Sequence, residues 1–272
     1  MVVFPKAKIN IGLQITGKRT DGYHDIETLF YPIDLCDALE CVVSSDRNKK
    51  DHLTVTGIKT ESNIEDNIIS KAIRVLRKRY EFPPLKIHLH KAIPVGAGLG
   101  GGSSDAAALL KLINRCFRLT IENSDLKAVA LELGSDCPFF IDNIPSFGSG
   151  RGEILQPVNL VLAGYYFLLL NPGISINTRE AYENCTPASP SSTLLELADR
   201  PVADWKDLII NDFENFVFKT HPLIGEIKDN LYRSGAVFSS MSGSGSSVYG
   251  LFSKRPNLTE NLKEYAIYES YL

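Results

Sequence analysis

Five of the 20 glycines in this chain lie in one short stretch, Pro94-Val95-Gly96-Ala97-Gly98-Leu99-Gly100-Gly101-Gly102-Ser103-Ser104. An alanine- and leucine-rich segment, Asp105-Ala106-Ala107-Ala108-Leu109-Leu110, follows directly and favours a helix. Glycine lets the backbone turn through positive φ and brings successive N–H groups close to a ligand. A helix that begins behind such a loop binds anions, and phosphate in particular. We interpret the stretch as a phosphate-binding loop; the alternative is a flexible tight turn capped by Ser103 or Ser104.

The type of phosphate ligand is narrowed by what surrounds the loop. A Walker-type loop is excluded because the sequence has no Gly-x-x-x-x-Gly-Lys-Ser/Thr element. The spacing of a dinucleotide-binding loop, with an acidic residue near the ribose distance, is matched by Gly96, Gly98, Gly101 and Glu122. The preceding strand is half polar, with His88 and His90 between apolar residues, whereas the first strand of a dinucleotide fold is nearly all apolar. A nicotinamide-dependent oxidoreductase is therefore the second choice.

Composition places the chain among ordinary globular proteins. It has 272 residues with 29 basic and 32 acidic side chains, a net charge of −3, and 44% hydrophobic residues. At roughly 150 residues per domain this length fits one large or two modest domains. The near-neutral balance argues against a nucleic-acid partner. The longest apolar run, Leu160 to Leu170, is about half of the roughly 20 residues that a membrane helix needs. Five scattered cysteines suit a reducing compartment, so we expect a cytoplasmic protein without a membrane partner.

Hydrophobic periodicity predicts mixed secondary structure. Apolar stripes at helical spacing predict helices at about 67–80, 103–116 and 124–133. Strands are predicted from Lys6, near 87–93, from Tyr165 to Leu170 and as a pair around 236–252. Because strands and helices do not alternate strictly, an α+β fold is favoured over a doubly wound sheet. We expect a domain boundary near residue 157 and a surface loop at 186–192. No protein-held metal site and no oligomeric state are indicated.

Five segments together resemble the GHMP kinase family of small-molecule kinases. They are Ala7-Lys8-Ile9-Asn10, Arg19-Thr20-Asp21-Gly22-Tyr23-His24, the glycine-rich stretch, Leu133-Gly134-Ser135-Asp136-Cys137-Pro138-Phe139-Phe140 and Met241-Ser242-Gly243-Ser244-Gly245-Ser246-Ser247. They follow one another in the family's order and span most of the chain. The Asp-Gly-Tyr-His element narrows the resemblance to the branch of the family whose acceptor carries a cytidine diphosphate group.

The resemblance implies a fold and a reaction. The fold is the two-domain α+β fold of GHMP kinases, with an ATP-binding domain at 1–157, a C-terminal domain at 158–272 and the active site in the cleft between the domains. The reaction is phosphorylation of a tertiary 2-hydroxyl group on a small molecule that contains cytidine diphosphate. ATP is the implied phosphoryl donor, and Mg²⁺ is expected to arrive with it.

The resemblance also implies the catalytic residues. Asp136 would be the general base, although by pattern alone it is equally well an ordinary turn aspartate. Lys8 would stabilise the developing alkoxide, and Asn10, on the same strand face, would orient the hydroxyl. Lys6 lies on that face too, so the sequence leaves open whether it shares the role of Lys8.

Binding residues are implied in the same way. Residues 94–104 would cradle the phosphates, and Asn67 and Lys91 would line the nucleotide pocket. The alternative for Asn67 is a helix N-cap. Tyr23 would stack on cytosine, His24 would bind the base edge and Tyr182 would stack from the opposite side. The other substrate-binding residues are Thr178 and Phe30, of which Phe30 is equally well a core residue.

Other functions remain as alternatives. In a different GHMP kinase, Tyr23 and His24 would have only structural roles. A non-catalytic nucleotide-binding relative would have lost Lys8 or Asp136, and both are present. Gly243 and Gly245 resemble a third family motif that shapes the active site; the alternative is a plain glycine turn.

Overall fold

The computed structural model describes residues 1–45, 50–59, 63–188 and 192–272. The chain packs as two compact units whose residues alternate along the sequence. The first unit contains residues 1–8, 32–95 and 100–144, and the second contains 9–31, 96–99 and 145–272. The boundary expected near residue 157 lies inside the second unit, because residues 9–31 belong to that unit as well. The two domains 1–157 and 158–272 stay a prediction.

The strands of the described segments fall into three sheets of four. The strands are β1 (Val2–Val3), β2 (Lys6–Lys18), β3 (His24–Cys36), β4 (Ala38–Val43), β5 (His52–Gly57), β6 (Leu85–Lys91), β7 (Ser146–Ser149), β8 (Ile154–Pro157), β9 (Tyr166–Leu170), β10 (Phe238–Met241), β11 (Val248–Phe252) and β12 (Ala266–Tyr271). The sheet orders are β1-β4-β6-β5, β2-β3-β7-β8 and β10-β11-β9-β12.

Helices of very different lengths connect these strands. They are α1 (Ile68–Arg77), α2 (Gly101–Phe117), α3 (Asn123–Leu131), α4 (Phe139–Asp142), α5 (Thr178–Glu183), α6 (Leu194–Ala198), α7 (Phe213–Thr220), α8 (Pro222–Arg233) and α9 (Glu260–Lys263), with a 3₁₀ helix at Val202–Asp207. The α+β class is confirmed, since the described residues combine helices with mixed and antiparallel sheets. Among the described residues, no helix is both long and apolar enough to span a bilayer.

The sheet of the first unit places the glycine-rich loop. Strand β6 pairs antiparallel with β4 and parallel with β5, and its residues alternate between buried and exposed. One face of the sheet is therefore open, as the half-polar pattern predicts, while α2 packs against β4 and α1. The loop leaves the end of β6 and leads into α2. Because β6 belongs to a half-exposed mixed sheet, the dinucleotide-binding fold on which the nicotinamide-dependent alternative depends is wrong for this chain.

The second unit is organised around an all-buried strand. All five residues of β9 are buried, which explains the continuous apolar run in the sequence. Strand β9 lies between β11 and β12 in an antiparallel sheet, and the core beside it includes Phe213, Ile224 and Leu231 from α7 and α8. The strand predicted at Tyr165–Leu170 and the pair predicted around 236–252 are confirmed.

The three predicted helices are confirmed, but the second begins two residues earlier than predicted. Helices α1 and α3 match the stretches 67–80 and 124–133 to within a few residues. Helix α2 begins at Gly101 rather than 103, because Gly100 takes the N-cap position with φ of +67°. Ser103 and Ser104 lie inside the first turn, so the expectation that one of them caps the helix is wrong. Of the loop expected at 186–192, residues 189–191 lie outside the described residues.

Candidate active site

The N-terminus of α2 is open to a ligand. No side chain of the described residues caps it, and its first helical hydrogen bond runs from the N–H of Ser104 to the carbonyl of Gly100 over 2.9 Å. The N–H groups of Gly101, Gly102 and Ser103 therefore have no partner within the helix. The aligned peptide dipoles add about half a positive charge at this end. Such a terminus binds an anion, and phosphate matches it well.

Two glycines of the loop are required by close packing. A Cβ at Gly98 would lie 1.9 Å from the carbonyl oxygen of Ser242. A Cβ at Gly100 would lie 2.8 Å from the ring of Phe140 and 3.0 Å from Cε of Lys8, and both glycines have positive φ. Larger residues at these positions would displace the loop itself. Gly102 differs, because a Cβ there would meet only Ile68, at 3.8 Å.

Lys8 and Asp136 form an ion pair in the first unit. Nζ of Lys8 lies 3.3 Å from Oδ2 of Asp136. The lysine side chain, on β2, is only 4% exposed, whereas the aspartate side chain is 37% exposed. Asp136 lies in the turn between α3 and α4. Within this turn the N–H of the next residue, Cys137, donates to the carbonyl of Gly134. The pair presents a carboxylate to solvent and keeps a buried cation beside it, as deprotonation of an alcohol requires.

The second lysine of the strand is in a different environment. Nζ of Lys6 lies 2.5 Å from Oδ1 of Asp34, and the two side chains are 45% and 72% exposed. An exposed pair of this kind contributes little, typically about 0–1 kcal/mol. Lys8 is therefore the lysine beside the candidate base, which was ambiguous from the sequence.

Asn10 is part of a buried network in the second unit. Its Nδ2 donates to Oγ1 of Thr28 over 2.9 Å, and its backbone N–H donates to Oγ of Ser242 over 3.1 Å. The Ser242 hydroxyl in turn donates to the carbonyl of Gly98 over 2.8 Å. The first half of the glycine-rich loop is thus tied to β2 through one serine. Orientation of a substrate hydroxyl by Asn10 stays a prediction.

The third family motif, the turn that contains Gly243, is held in place by Asn211, a residue that the sequence analysis did not identify. Nδ2 of Asn211 donates to the carbonyls of Met241 and Gly243 over 2.9 and 2.8 Å. Gly243 has φ of +56°, and a Cβ there would lie 3.0 Å from Oδ1 of Asn10. The turn therefore braces Asn10 and the loop. Nothing in the local sequence around Asn211 signals this role, because its partners lie about thirty residues away.

A charged turn presents two aromatic rings in the second unit. Arg19 pairs with Asp21 and Asp25, and the N–H of Tyr23 donates to Oδ1 of Asp21. The Arg19 guanidinium holds the pKa of Asp21 below its usual value. Tyr23, presented by this turn, is 54% exposed. Such an exposed ring is available for stacking.

The neighbours of the aromatic residues differ from expectation. Tyr182 belongs to the same unit as Tyr23, not to a separate one. The ring of Tyr182 stacks on His24 with the two ring centroids 5.1 Å apart. A base between these two rings would need a separation of about 7 Å, so none fits there. The guanidinium of Arg151 lies 4.8 Å from the centre of the Tyr23 ring, and the sequence did not point to it. Thr178, at the start of α5, has its Oγ1 2.9 Å from Oγ of Ser244.

Three residues expected to bind ligands are buried. Asn67 is the N-cap of α1, where its Oδ1 accepts from the N–H of Ile69 over 2.9 Å. Its position is therefore that of the helix cap given above as the alternative to a nucleotide-binding residue. Phe30 is 1% exposed and packs beside Gly148, which places it in the core rather than on a binding surface. Lys91 is 3% exposed and pairs with Asp37 and Asp105, so its place in the nucleotide pocket stays a prediction.

Comparison with known proteins identifies similar chains. Residues 67–150 match the GHMP kinases N terminal domain and residues 195–267 match the GHMP kinases C terminal domain. A 4-diphosphocytidyl-2-C-methyl-D-erythritol kinase from Bacteroides thetaiotaomicron is 52% identical over 96% of this chain and 95% of its own length. The same enzyme from Porphyromonas gingivalis is 48% identical over 95% and 94%.

Solved structures show the same likeness. The crystal structure of a 4-(cytidine 5'-diphospho)-2C-methyl-D-erythritol kinase superposes with a TM-score of 0.76 at 29% identity, covering 92% of this chain and 90% of that one. The Methanococcus jannaschii mevalonate kinase shares the fold, with a TM-score of 0.66 at 14% identity over 97% and 92%.

The open N-terminus of α2 predicts the effect of filling it. Gly102→Val has room for its side chain but covers the N–H groups, so it should weaken ATP binding by at least about tenfold. Gly102→Ala should weaken it less and leave the melting temperature unchanged or raised, because alanine favours a helix. Calorimetric titration with ATP measures both. Equal ATP affinity in wild type and Gly102→Val would contradict a phosphate site here.

Proposed function

We propose that this chain, which belongs to the GHMP kinase family and is a small-molecule kinase, transfers the γ-phosphoryl group of ATP to the 2-hydroxyl of 4-diphosphocytidyl-2-C-methyl-D-erythritol. This reaction is a step of the non-mevalonate route to isoprenoids. Relatives of that name are 48–52% identical over 95–96% of the chain. One observation carries the proposal. Lys8 lies against the open N-terminus of α2, with Cε 3.0 Å from the Cβ position of Gly100, and its Nζ is paired with Asp136.

Phosphoryl transfer depends mainly on positioning and charge stabilisation, and the first unit supplies both. Asp136 accepts the proton of the acceptor hydroxyl. Lys8 stabilises the negative charge that develops on that oxygen, and burial makes its charge more effective than in water. The new bond forms between the acceptor oxygen and the γ-phosphorus while the β–γ bridge bond breaks and ADP leaves. The N–H groups of Gly101–Ser103 bind the phosphate oxygens.

Magnesium belongs to the proposal through ATP. Mg²⁺ binds largely through phosphate oxygens and water, and it would neutralise phosphate charge in this site. The loop suits a nucleoside triphosphate, because the three N–H groups at the start of α2 would bind only some of its phosphate oxygens and leave others for the ion. No residue of this chain is assigned as a ligand of the ion.

Recognition of the acceptor is proposed for the second unit. A cytosine ring needs a π-face, and Tyr23 supplies one that is exposed. The Arg151 guanidinium over the ring adds a positive charge that suits a nearby diphosphate. The His24–Tyr182 stack supports the same turn and offers imidazole nitrogens to a base edge. Asn10 and Thr178 keep the substrate-binding roles implied by the family resemblance.

We place the enzyme in the cytoplasm on the chemistry of its thiols. All five cysteines are free. Burial raises the pKa of Cys41 and Cys137 to about 11, which keeps both as unreactive thiols. Free, reduced cysteines are typical of proteins in a reducing compartment.

The two lysines of β2 should differ sharply in activity assays. Lys8→Met removes the buried cation beside the developing alkoxide and should lower kcat by at least about 10²-fold. Lys6→Met removes an exposed pair and serves as the matched control, with kcat within about threefold of wild type. Steady-state ADP release measures both. A severe loss in Lys6→Met with an active Lys8→Met would reverse the assignment.

The acceptor is tested by ADP release over a panel of alcohols with and without the cytidine group. We expect the cytidine-containing acceptor to be used far better than methylerythritol phosphate. Tyr23→Ala should raise its KM by about 10–150-fold, since stacking one base on an aromatic ring contributes roughly 1–3 kcal/mol. Tyr23→Phe keeps the ring and should stay close to wild type, and the KM for ATP should not change. Equal kcat/KM for acceptors with and without cytidine would favour another kinase of the family.

A further inference from the structure

Three charged side chains are buried together in the first unit, away from the residues given catalytic roles above. Asp37, Lys91 and Asp105 are 1%, 3% and 1% exposed. Nζ of Lys91 donates to Oδ2 of Asp105 over 2.7 Å and also to Oδ2 of Asp37. Burying ionised groups is unfavourable before their attraction is counted, and apolar residues of similar volume would avoid this cost.

Each carboxylate of the cluster is tied to a different part of the loop's framework. Oδ1 of Asp37 accepts the N–H groups of Ala92 and Ile93 over 2.6 and 2.8 Å, where the chain leaves β6 and approaches the loop. The N–H of Asp37 donates to the carbonyl of Pro5, directly before the strand that carries Lys8. Asp105 lies one turn inside α2. Lys91 joins the two carboxylates.

The cluster lies directly beneath the phosphate-binding turn. A Cβ at Gly101, the first residue of α2, would lie 3.2 Å from Nζ of Lys91 and 2.9 Å from Cγ2 of Ile93. The ammonium group of Lys91 therefore packs against the first residue of α2. A shift of Lys91 would move this first turn, which carries the N–H groups proposed to bind phosphate.

We propose that Asp37, Lys91 and Asp105 are positioning residues that fix the N-terminus of α2 against the end of β6, so that its N–H groups are held in register for the phosphates of ATP. This inference rests on the proposed function. It reassigns Lys91, which the family resemblance placed in the nucleotide pocket, to the layer behind the loop. The lysine acts through two carboxylates rather than through the nucleotide.

Charge balance in the cluster supports this role. With every group ionised it would carry a net charge of −1 beneath a phosphate site. Oδ1 of Asp105 has no hydrogen-bond partner among the described residues, and burial raises the pKa of this carboxyl to about 8. Near neutral pH a proton on Asp105 therefore brings the cluster close to neutral. A cluster without net charge does not repel phosphates bound at the nearby N-terminus of α2.

A charge-restoring double variant tests the proposal. Lys91→Met leaves two carboxylates without a cation and should weaken ATP binding by at least about tenfold, with the acceptor KM within about twofold of wild type. Lys91→Met/Asp37→Asn also removes the remaining negative charge, because Asp105 already carries a proton near neutral pH, and should return the ATP dissociation constant to within about threefold of wild type. Lys86→Met, an exposed lysine on the same strand, is the matched control. Calorimetric ATP titrations and kinetics with both substrates are measured on each protein.

Two results would overturn the inference. If the double variant binds ATP as weakly as Lys91→Met, uncompensated charge in the cluster does not explain the weaker binding, and the inference fails. If Lys91→Met only lowers the melting temperature and leaves ATP affinity unchanged, the cluster is merely structural. Should Lys91→Met not fold, Asp105→Ala replaces it: cutting the tie to α2 should weaken ATP binding about three- to tenfold, and unchanged affinity overturns the inference. A wild-type chain that binds ATP but phosphorylates no cytidine-containing acceptor overturns the proposed function alone.

Discussion

The open N-terminus of α2 is the feature around which the first unit is arranged. A helix that starts without a side-chain cap leaves N–H groups unsatisfied, which is unfavourable unless a ligand or water completes them. The surroundings keep that terminus in place. Gly100 turns through positive φ against Phe140 and Lys8, and β6 ends directly beneath the first turn. A binding site of this kind is built from backbone N–H groups rather than from side chains.

The two residues proposed for catalysis differ in burial. Lys8 is almost fully enclosed, so its charge acts through a medium of low dielectric constant, which would strengthen its effect on the proposed alkoxide. Asp136 remains accessible on its turn, so it can meet a hydroxyl group and release the proton to solvent afterwards. Both residues lie in the same compact unit as α2. The groups proposed to bind phosphate and those proposed to handle the proton are therefore parts of one compact unit.

The sequence predicted what depends on local pattern. The glycine-rich loop, the apolar run of β9 and the alternation along β6 are visible because each lies within one short segment. The same alternation predicts that Lys91 is buried, because it lies on the same strand face as the buried residues Ile87 and Leu89, and this signal was missed. The start of α2 was displaced because a glycine in the left-handed conformation replaced the expected serine cap.

What the sequence did not show depends on partners far apart along the chain. Asn211 donates to the carbonyl of Gly243, and the guanidinium of Arg151 lies over the ring of Tyr23. In each pair the residues are too far apart along the chain for a helical or strand periodicity to predict the contact. The choice between Lys6 and Lys8 likewise needed the positions of Asp34 and Asp136. Phe30 and Asn67 followed their structural alternatives, core packing and helix capping, because burial is decided by the whole fold.

The most direct test of the account is a single-turnover measurement of phosphoryl transfer from ATP labelled at the γ-position to the cytidine-containing acceptor, in wild type and in Asp136→Asn. The amide keeps the shape of the carboxylate but cannot accept the proton, so the transfer rate should fall by about 10²–10⁴. The ATP dissociation constant, measured on the same preparations, should stay within about twofold of wild type, because the phosphates are bound by the α2 N-terminus. Unchanged transfer in Asp136→Asn, or a parallel loss of ATP binding, would contradict the separation of proton transfer from phosphate binding on which the account depends.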